Sequence, residues 1–143
     1  MYNFIIPILI FLCIAFIIFK LKNIESFVTN QQEVTSMHMI TAPIEKGDII
    51  FVRLYAKWCP HCTKMENEWT ALHNELHGKK INNKIHHIYQ IEDKNKEFNN
   101  FRTLYLNEDQ IGFPTIIRID KNKINYFTGT RTRYAMYNYL RSF

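Results

Sequence analysis

Cysteine is scarce in this chain of 143 residues, which has three, too few for a disulfide scaffold. Glycine and proline are equally sparse at four each, and a composition 47% hydrophobic and 22% charged excludes a disordered, collagen-like or low-complexity chain. The net charge of +5 comes without an Arg-rich run or a nucleic-acid motif, so nucleic acid is not an expected partner. A basic balance of this size permits contact with anionic lipid or acidic partners without demonstrating either. There is no internal repeat and no second C-x-x-C. A structural zinc therefore lacks its four ligands. His61, His86 and His87 do not repair the deficit, because His86 and His87 are adjacent on an expected strand and point to opposite faces. No metal and no other cofactor is expected. The length suits one domain, and eleven Phe, eight Tyr and two Trp allow a dense small core.

Asp, Glu, Lys, Arg and His are absent from Met1 to Phe19, and Phe4 to Phe19 is apolar except for Pro7. At ~1.5 Å per residue this run covers roughly 28 Å, the hydrocarbon thickness of a bilayer. Tyr2 stands where an interfacial aromatic belongs, and Lys20 and Lys22 close the segment. A cleaved signal peptide would have a cationic start and a small-x-small exit. Here the start carries no Lys or Arg, and the one small pair, Cys13 and Ala15, would leave Phe-Ile-Ile-Phe at the new terminus. Residues 1–20 are thus expected to form an uncleaved transmembrane anchor, with Cys13 a lipid-facing hydrophobe. The lysine flank puts the soluble part on the cytoplasmic side by the positive-inside rule, although Glu25 follows closely. Residues 21–37 read as a polar tether, and residues 38–143 as the globular domain.

Within that domain strand and helix alternate. Ile49 to Ala56 is a nearly continuous apolar run rich in β-formers, as a strand buried on both faces requires. Met65, Trp69, Leu72 and Leu76 make one helical stripe, stopped by Gly78. Lys84 to Ile91 reads as a second strand, and Phe98, Phe101 and Tyr105 mark a second helix. Thr115 to Asp120 and Lys123 to Thr128 form a hairpin turning at Lys121-Asn122. Arg131 to Phe143 is a last helix, with Tyr134, Tyr137 and Leu140 on its inner stripe.

The first strand runs directly into Trp58-Cys59-Pro60-His61-Cys62. Cys59 falls at the helix N-cap and Pro60 at the first helical position, where a missing N–H costs nothing. A thiolate there faces unpaired backbone N–H groups and the positive end of the helix dipole, so its pKa falls. Cys62, one turn later, can reach it and serve as a resolving thiol. His61 adds a donor, and a cation when protonated, while Pro60 stiffens the loop. Together they favour the thiolate form and make a Cys59–Cys62 disulfide a stronger oxidant.

Leu54-Tyr55-Ala56-Lys57-Trp58-Cys59-Pro60-His61-Cys62-Thr63-Lys64 resembles the active-site segment of the thioredoxin superfamily, closest to protein disulfide isomerase domains. Gly112-Phe113-Pro114-Thr115 resembles that family's Gly-aromatic-Pro-Thr loop, whose proline is cis, and Gly129-Thr130-Arg131-Thr132 resembles the isomerases' Gly-x-Arg-Thr stretch. The resemblance implies an α/β thioredoxin fold, a central mixed sheet with flanking helices. It implies that Cys59 is the nucleophile and Cys62 the resolving thiol. Trp58, Phe113, Pro114 and Thr115 would form the substrate-binding surface, and Arg131 would approach Cys62 and lower its pKa. The Pro-His pair is shared with the bacterial periplasmic oxidase DsbA and points to oxidising poise.

Three departures stand out. Arg53 occupies the position, six residues before Cys59, where the family carries a buried Asp or Glu that relays protons to the resolving cysteine. A buried cation there favours the Cys62 thiolate and cannot take its proton, so water, His61 or a carboxylate such as Glu92 must substitute. Arg53 itself must find a partner or reach the sheet edge. The family's first strand and helix are not evident, so the fold is expected to be trimmed at its start. Gln110 replaces an aliphatic residue. The expected function is membrane-anchored thiol–disulfide exchange with Cys-containing protein substrates and a separate redox partner, as oxidase or isomerase before reductase. A non-catalytic binding module on the same fold is the alternative.

Overall fold

The structure is a computed structural model that describes residues 5–106, 111–121 and 123–143, without the side chains of residues 5 and 23–32. Tyr2, Gln110 and Asn122, and the Glu25 side chain, lie outside the described residues. The chain divides into two compact units, Met1–Gln31 and Gln32–Phe143.

The first unit is one helix, α1 (Ile5–Gln32). It runs on through much of the stretch expected to be a polar tether, because no proline or glycine interrupts the chain between Pro7 and Pro43. Its described side chains are exposed, Phe11 at 72%. Among the described residues no helix is long and apolar enough to cross a membrane. The expected span at residues 1–20 therefore gains no support from the fold.

The second unit is a five-stranded mixed sheet of order β2-β3-β1-β4-β5. Its elements are α2 (His38–Glu45), β1 (Ile49–Tyr55), α3 (Pro60–Lys64), α4 (Glu66–Leu76), β2 (Lys79–Ile81), β3 (Lys84–Glu92), α5 (Phe98–Tyr105), β4 (Thr115–Asp120), β5 (Lys123–Tyr126) and α6 (Arg133–Arg141). β1 lies at the centre, parallel to β3 and antiparallel to β4, and every residue of it is buried. Alternate β1 side chains supply two cores. Ile50, Val52 and Leu54 pack on one face with Ile40, Phe98 and Phe101. Ile49 and Phe51 pack on the other with Trp69, Leu72 and Met136. The Phe51 and Trp69 rings stack at 5.6 Å.

The folded unit starts earlier than the expected boundary at residue 38. Val34 is fully buried and its N–H donates to the Gln90 carbonyl at 3.0 Å, while Glu33 makes an isolated parallel bridge to Gln90. This bridge and the eight residues of α2 occupy the start of the unit, where the sequence showed no strand. β2 was also not foreseen. It forms because Asn82 and Asn83 both adopt positive φ (49° and 65°) and close a two-residue hairpin onto β3. In α6 the buried stripe is Met136 and Leu140, an i, i+4 pair, while Tyr134 of the expected stripe is 69% exposed.

Candidate active site

β1 delivers the chain to the site. It ends at Tyr55, and a short turn places Cys59 as the extended N-cap residue of α3, at φ −85° and ψ 116°, with Pro60 next. The Cys59 carbonyl accepts the first helical bonds from the N–H groups of Cys62 (3.1 Å) and Thr63 (3.2 Å). Both thiols are free and buried, Cys59 at 5% and Cys62 at 2% exposure.

The two sulfurs differ in acidity. Burial works against ionisation of Cys59, yet its pKa is lowered. The Cys62 thiol and the backbone N–H groups of Cys62 and His61 hydrogen-bond its sulfur, and the Arg131 charge adds to them. At Cys62 burial wins, and the neighbouring Cys59 adds to it, so the thiol is pushed up to about 11 against the Ala56 backbone bond and the Arg53 charge. One sulfur is thus prepared as nucleophile and the other held protonated. His61 contributes through its backbone; its side chain is exposed.

The Phe113–Pro114 peptide is cis, and the Phe113 carbonyl accepts from Cys59 Sγ at 3.4 Å. The loop expected opposite the sulfurs lies there. Trp58 is 67% exposed, its ring edge-on to Phe113 at 5.8 Å and its indole N–H donating to Asp93 Oδ2 at 2.8 Å. Thr115 turns its hydroxyl back to the Gly112 carbonyl at 2.6 Å, tightening the loop. Arg131 reaches the Pro114 carbonyl at 3.5 Å. Its charge favours the Cys59 thiolate, where the resemblance implied an effect on Cys62.

Arg53 does not snorkel to the sheet edge. It is fully buried beneath the site, its guanidinium lying over the rings of Tyr55 (4.6 Å) and Trp69 (5.3 Å). Its Nη2 donates to Glu66 Oε2 at 2.7 Å and to Gln90 Oε1. Its neighbour across the sheet is therefore an amide, and its ion-pair partner comes from the start of α4. Glu92, proposed from sequence as a substitute acid, is paired with Lys57 at 2.8 Å. A cavity of about 130 Å³ opens beside Cys62, lined by Tyr55, Ala56, Lys57, Cys62, Thr63 and Glu66. Sequence reasoning passed over Glu66 and Gln90. Glu66 could have been found, since it stands four residues after Cys62 and so one helical turn along. Gln90 could not, because it meets Arg53 only through the β1–β3 register. Among the described residues no group of three or more His, Cys, Asp or Glu is placed to hold a metal ion.

A mixed sheet between helices, with a Cys-x-x-Cys at a helix start facing a cis-proline loop, is a thioredoxin fold. The chain belongs to the thioredoxin family, whose model, described as Thioredoxin, matches residues 31–142. It is 33% identical over 103 residues to a protein disulfide-isomerase of Ricinus communis, covering 71% of this chain and 20% of that one. It is 27% identical over 114 residues to a thioredoxin domain-containing protein 5 homolog of Drosophila melanogaster, covering 78% of this chain and 26% of that one. The chain thus spans between a fifth and about a quarter of the length of these curated relatives. The first thioredoxin domain of mouse protein disulfide-isomerase A4 shares the fold, with a TM-score of 0.56 at 21% identity over 72% of this chain and 68% of that one.

Proposed function

We propose that this protein is a thiol–disulfide oxidoreductase acting on Cys-containing proteins. The observation that carries the reading is the buried Cys59–Cys62 pair at the start of α3, with Cys59 Sγ donating at 3.4 Å to the carbonyl of the cis Phe113–Pro114 peptide. The Cys59 thiolate attacks a substrate disulfide and forms a mixed disulfide. Cys62 then attacks Cys59 Sγ, closing the Cys59–Cys62 bond and releasing the substrate sulfur as thiolate. The exposed Trp58 ring against the half-buried Phe113 offers an apolar docking surface beside Cys59, and the Pro114 loop lines the approach to the sulfur. A separate redox partner returns the pair to its starting state.

Oxidase or isomerase activity fits better than reductase activity. The groups that favour the thiolate stabilise the reduced form, which makes the disulfide oxidising. A reduction potential of about −120 to −180 mV is expected, and a value near −270 mV would assign a reductant instead. The reaction takes place next to a membrane, to which the segment at residues 1–20, uncharged as far as Phe19, tethers the domain. The lysine flank favours the cytoplasmic side and the Pro60-His61 pair an oxidising compartment; protease protection of the full chain in membranes decides between them.

Trapping tests the chemistry. Cys62→Ser should accumulate mixed disulfides with protein partners, and Cys59→Ser should form none. The exposed Trp58 ridge would also serve a non-catalytic docking module. If neither variant changes the covalent adducts or the function in cells, that second reading replaces the first.

A further inference from the structure

Resolution of the mixed disulfide requires Cys62 to lose its proton, and Cys62 is the thiol the site keeps protonated. The position beneath the sulfurs holds Arg53, which has no proton to accept at neutral pH. Some other base must be in reach. Of the side chains sharing the cavity with Cys62, Lys57 is an ammonium with no acceptor and Glu66 is a carboxylate with lone pairs to take a proton.

We propose that Glu66 is the proton acceptor for Cys62, working through water in the cavity that both residues line. This rests on the oxidoreductase reading above and adds the route of its second proton. The cavity, at about 130 Å³, holds about four waters at ~30 Å³ each. Arg53 binds Glu66 Oε2 at 2.7 Å and leaves the other carboxylate oxygen without a protein partner among the described residues. The guanidinium therefore fixes the base without consuming it.

The surrounding charges fit this role. From β1, Arg53 favours an anion at Cys62. The Tyr55 hydroxyl donates to Glu33 Oε1 at 2.6 Å and is occupied. In the turn, Lys57 is tied to Glu92 of β3 at 2.8 Å, which removes Glu92 from contention. On α3 the His61 side chain is exposed, and Arg131 acts at Cys59. When Cys59 enters the mixed disulfide it carries no charge, so its contribution to holding the Cys62 proton disappears.

The step balances as follows. Cys62–SH gives its proton through water to the Glu66 carboxylate, yielding Cys62–S⁻ and Glu66–COOH. The thiolate pair of electrons forms the Cys62–Cys59 bond. The bond between Cys59 and the substrate sulfur breaks, and its electrons leave on that sulfur. Glu66 then returns the proton through water to the departing thiolate. The substrate disulfide is reduced by two electrons and the Cys59–Cys62 pair is oxidised; the reverse sequence oxidises a substrate dithiol.

The test uses the full chain in detergent micelles, with glutathione disulfide as the probe. Acid quenching and intact-mass measurement separate formation of the Cys59 mixed disulfide from its resolution. Glu66→Gln preserves an acceptor for Arg53 while abolishing the base. It should form the mixed disulfide within about twofold of the wild-type rate and resolve it about 100-fold more slowly at neutral pH, the lower end of general-base effects. The deficit should shrink as pH rises and hydroxide takes over, and Glu66→Asp should recover most of the rate. Resolution at the wild-type rate, or a deficit equal at every pH, overturns the proposal and leaves the oxidoreductase reading intact. If wild type forms no mixed disulfide at all, the oxidoreductase reading fails and this proposal falls with it.

Discussion

Replacing Arg53 separates what the fold needs from this residue, volume or charge. In Arg53→Met a side chain of similar length stays between Tyr55 and Trp69. The losses are the cation–π contacts at 4.6 and 5.3 Å, worth about 1 kcal/mol per ring, and the donor to buried Gln90 Oε1, about 2 kcal/mol. The ion pair to Glu66 adds little, because that carboxylate is 39% exposed and rehydrates. Against these stands the removal of two buried donors, Arg53 Nε and Nη1, which have no hydrogen-bond partner among the described residues. Each costs about 2 kcal/mol to desolvate. Losses and gains of about 4 kcal/mol cancel, so Arg53→Met should lie within about 2 kcal/mol of wild type, as isosteric replacement of buried ions often does. Arg53→Ala removes the packing as well and should fall about 3 kcal/mol below Arg53→Met, the usual cost of truncating a buried long side chain to alanine. Urea titrations read both differences from the midpoint, provided the slope is unchanged. Equal destabilisation of the two variants would refute the reasoning and make the charge itself the structural element.

The remaining expectations concern acid and helix capping. His73, His77 and His86 all have lowered pKa values, chiefly because burial penalises their charged forms, and the His73 and His77 rings stack at 4.6 Å. Below the unfolded-state value of about 6.5 the unfolded chain binds more protons at these sites, so their contribution should lower stability from about pH 6.5 downward through the lower folded values and be level above about pH 7.5. An unfolding midpoint that does not move between about pH 7.5 and about pH 5 would contradict this. The Thr132 hydroxyl accepts from the Ala135 N–H at 3.3 Å and caps α6; Thr132→Ala should cost about 1 kcal/mol in the same titration, with Cys59 alkylation rates unchanged.

Local signals explain what could be read from the sequence. β1 and the Cys59–Cys62 helix start are written in consecutive residues, as a β-branched run followed by cysteine, proline and an apolar stripe, so position and chemistry emerge together. The Phe113–Pro114 loop carries its own signature. The start of the folded unit was illegible for a physical reason. Glu33 and Val34 form a single bridge rather than a strand, and one paired residue leaves no period to detect. The hairpin at Asn82-Asn83 was missed because its first strand is three residues long, two of them lysines. Arg53 shows the limit most clearly. Its departure from the family pattern was visible and Glu66 stands four residues past Cys62 in the sequence, but Gln90 comes from β3 and only the sheet register brings it to Arg53.

The break at Met65 ties these observations to the chemistry. Its φ of −94° and ψ of 0° end α3 and restart the chain as α4 at Glu66. Glu66 thus becomes the first residue of a helix, where the dipole favours an anion. Arg53 below strengthens that preference from the sheet side. The buried charge under the sulfurs is therefore a cation, and the acid stands beside the cavity at the first turn of α4, 39% exposed. A buried acid beneath Cys62 would oppose formation of the second thiolate, whereas a buried cation assists it. Lowering the pKa of Cys59 favours the dithiol form over the disulfide, while the Arg53 charge only moderates the raised pKa of Cys62. The Arg53 charge under the sheet and the backbone N–H groups at the helix start thus act on the two sulfurs in one direction, toward the thiolate.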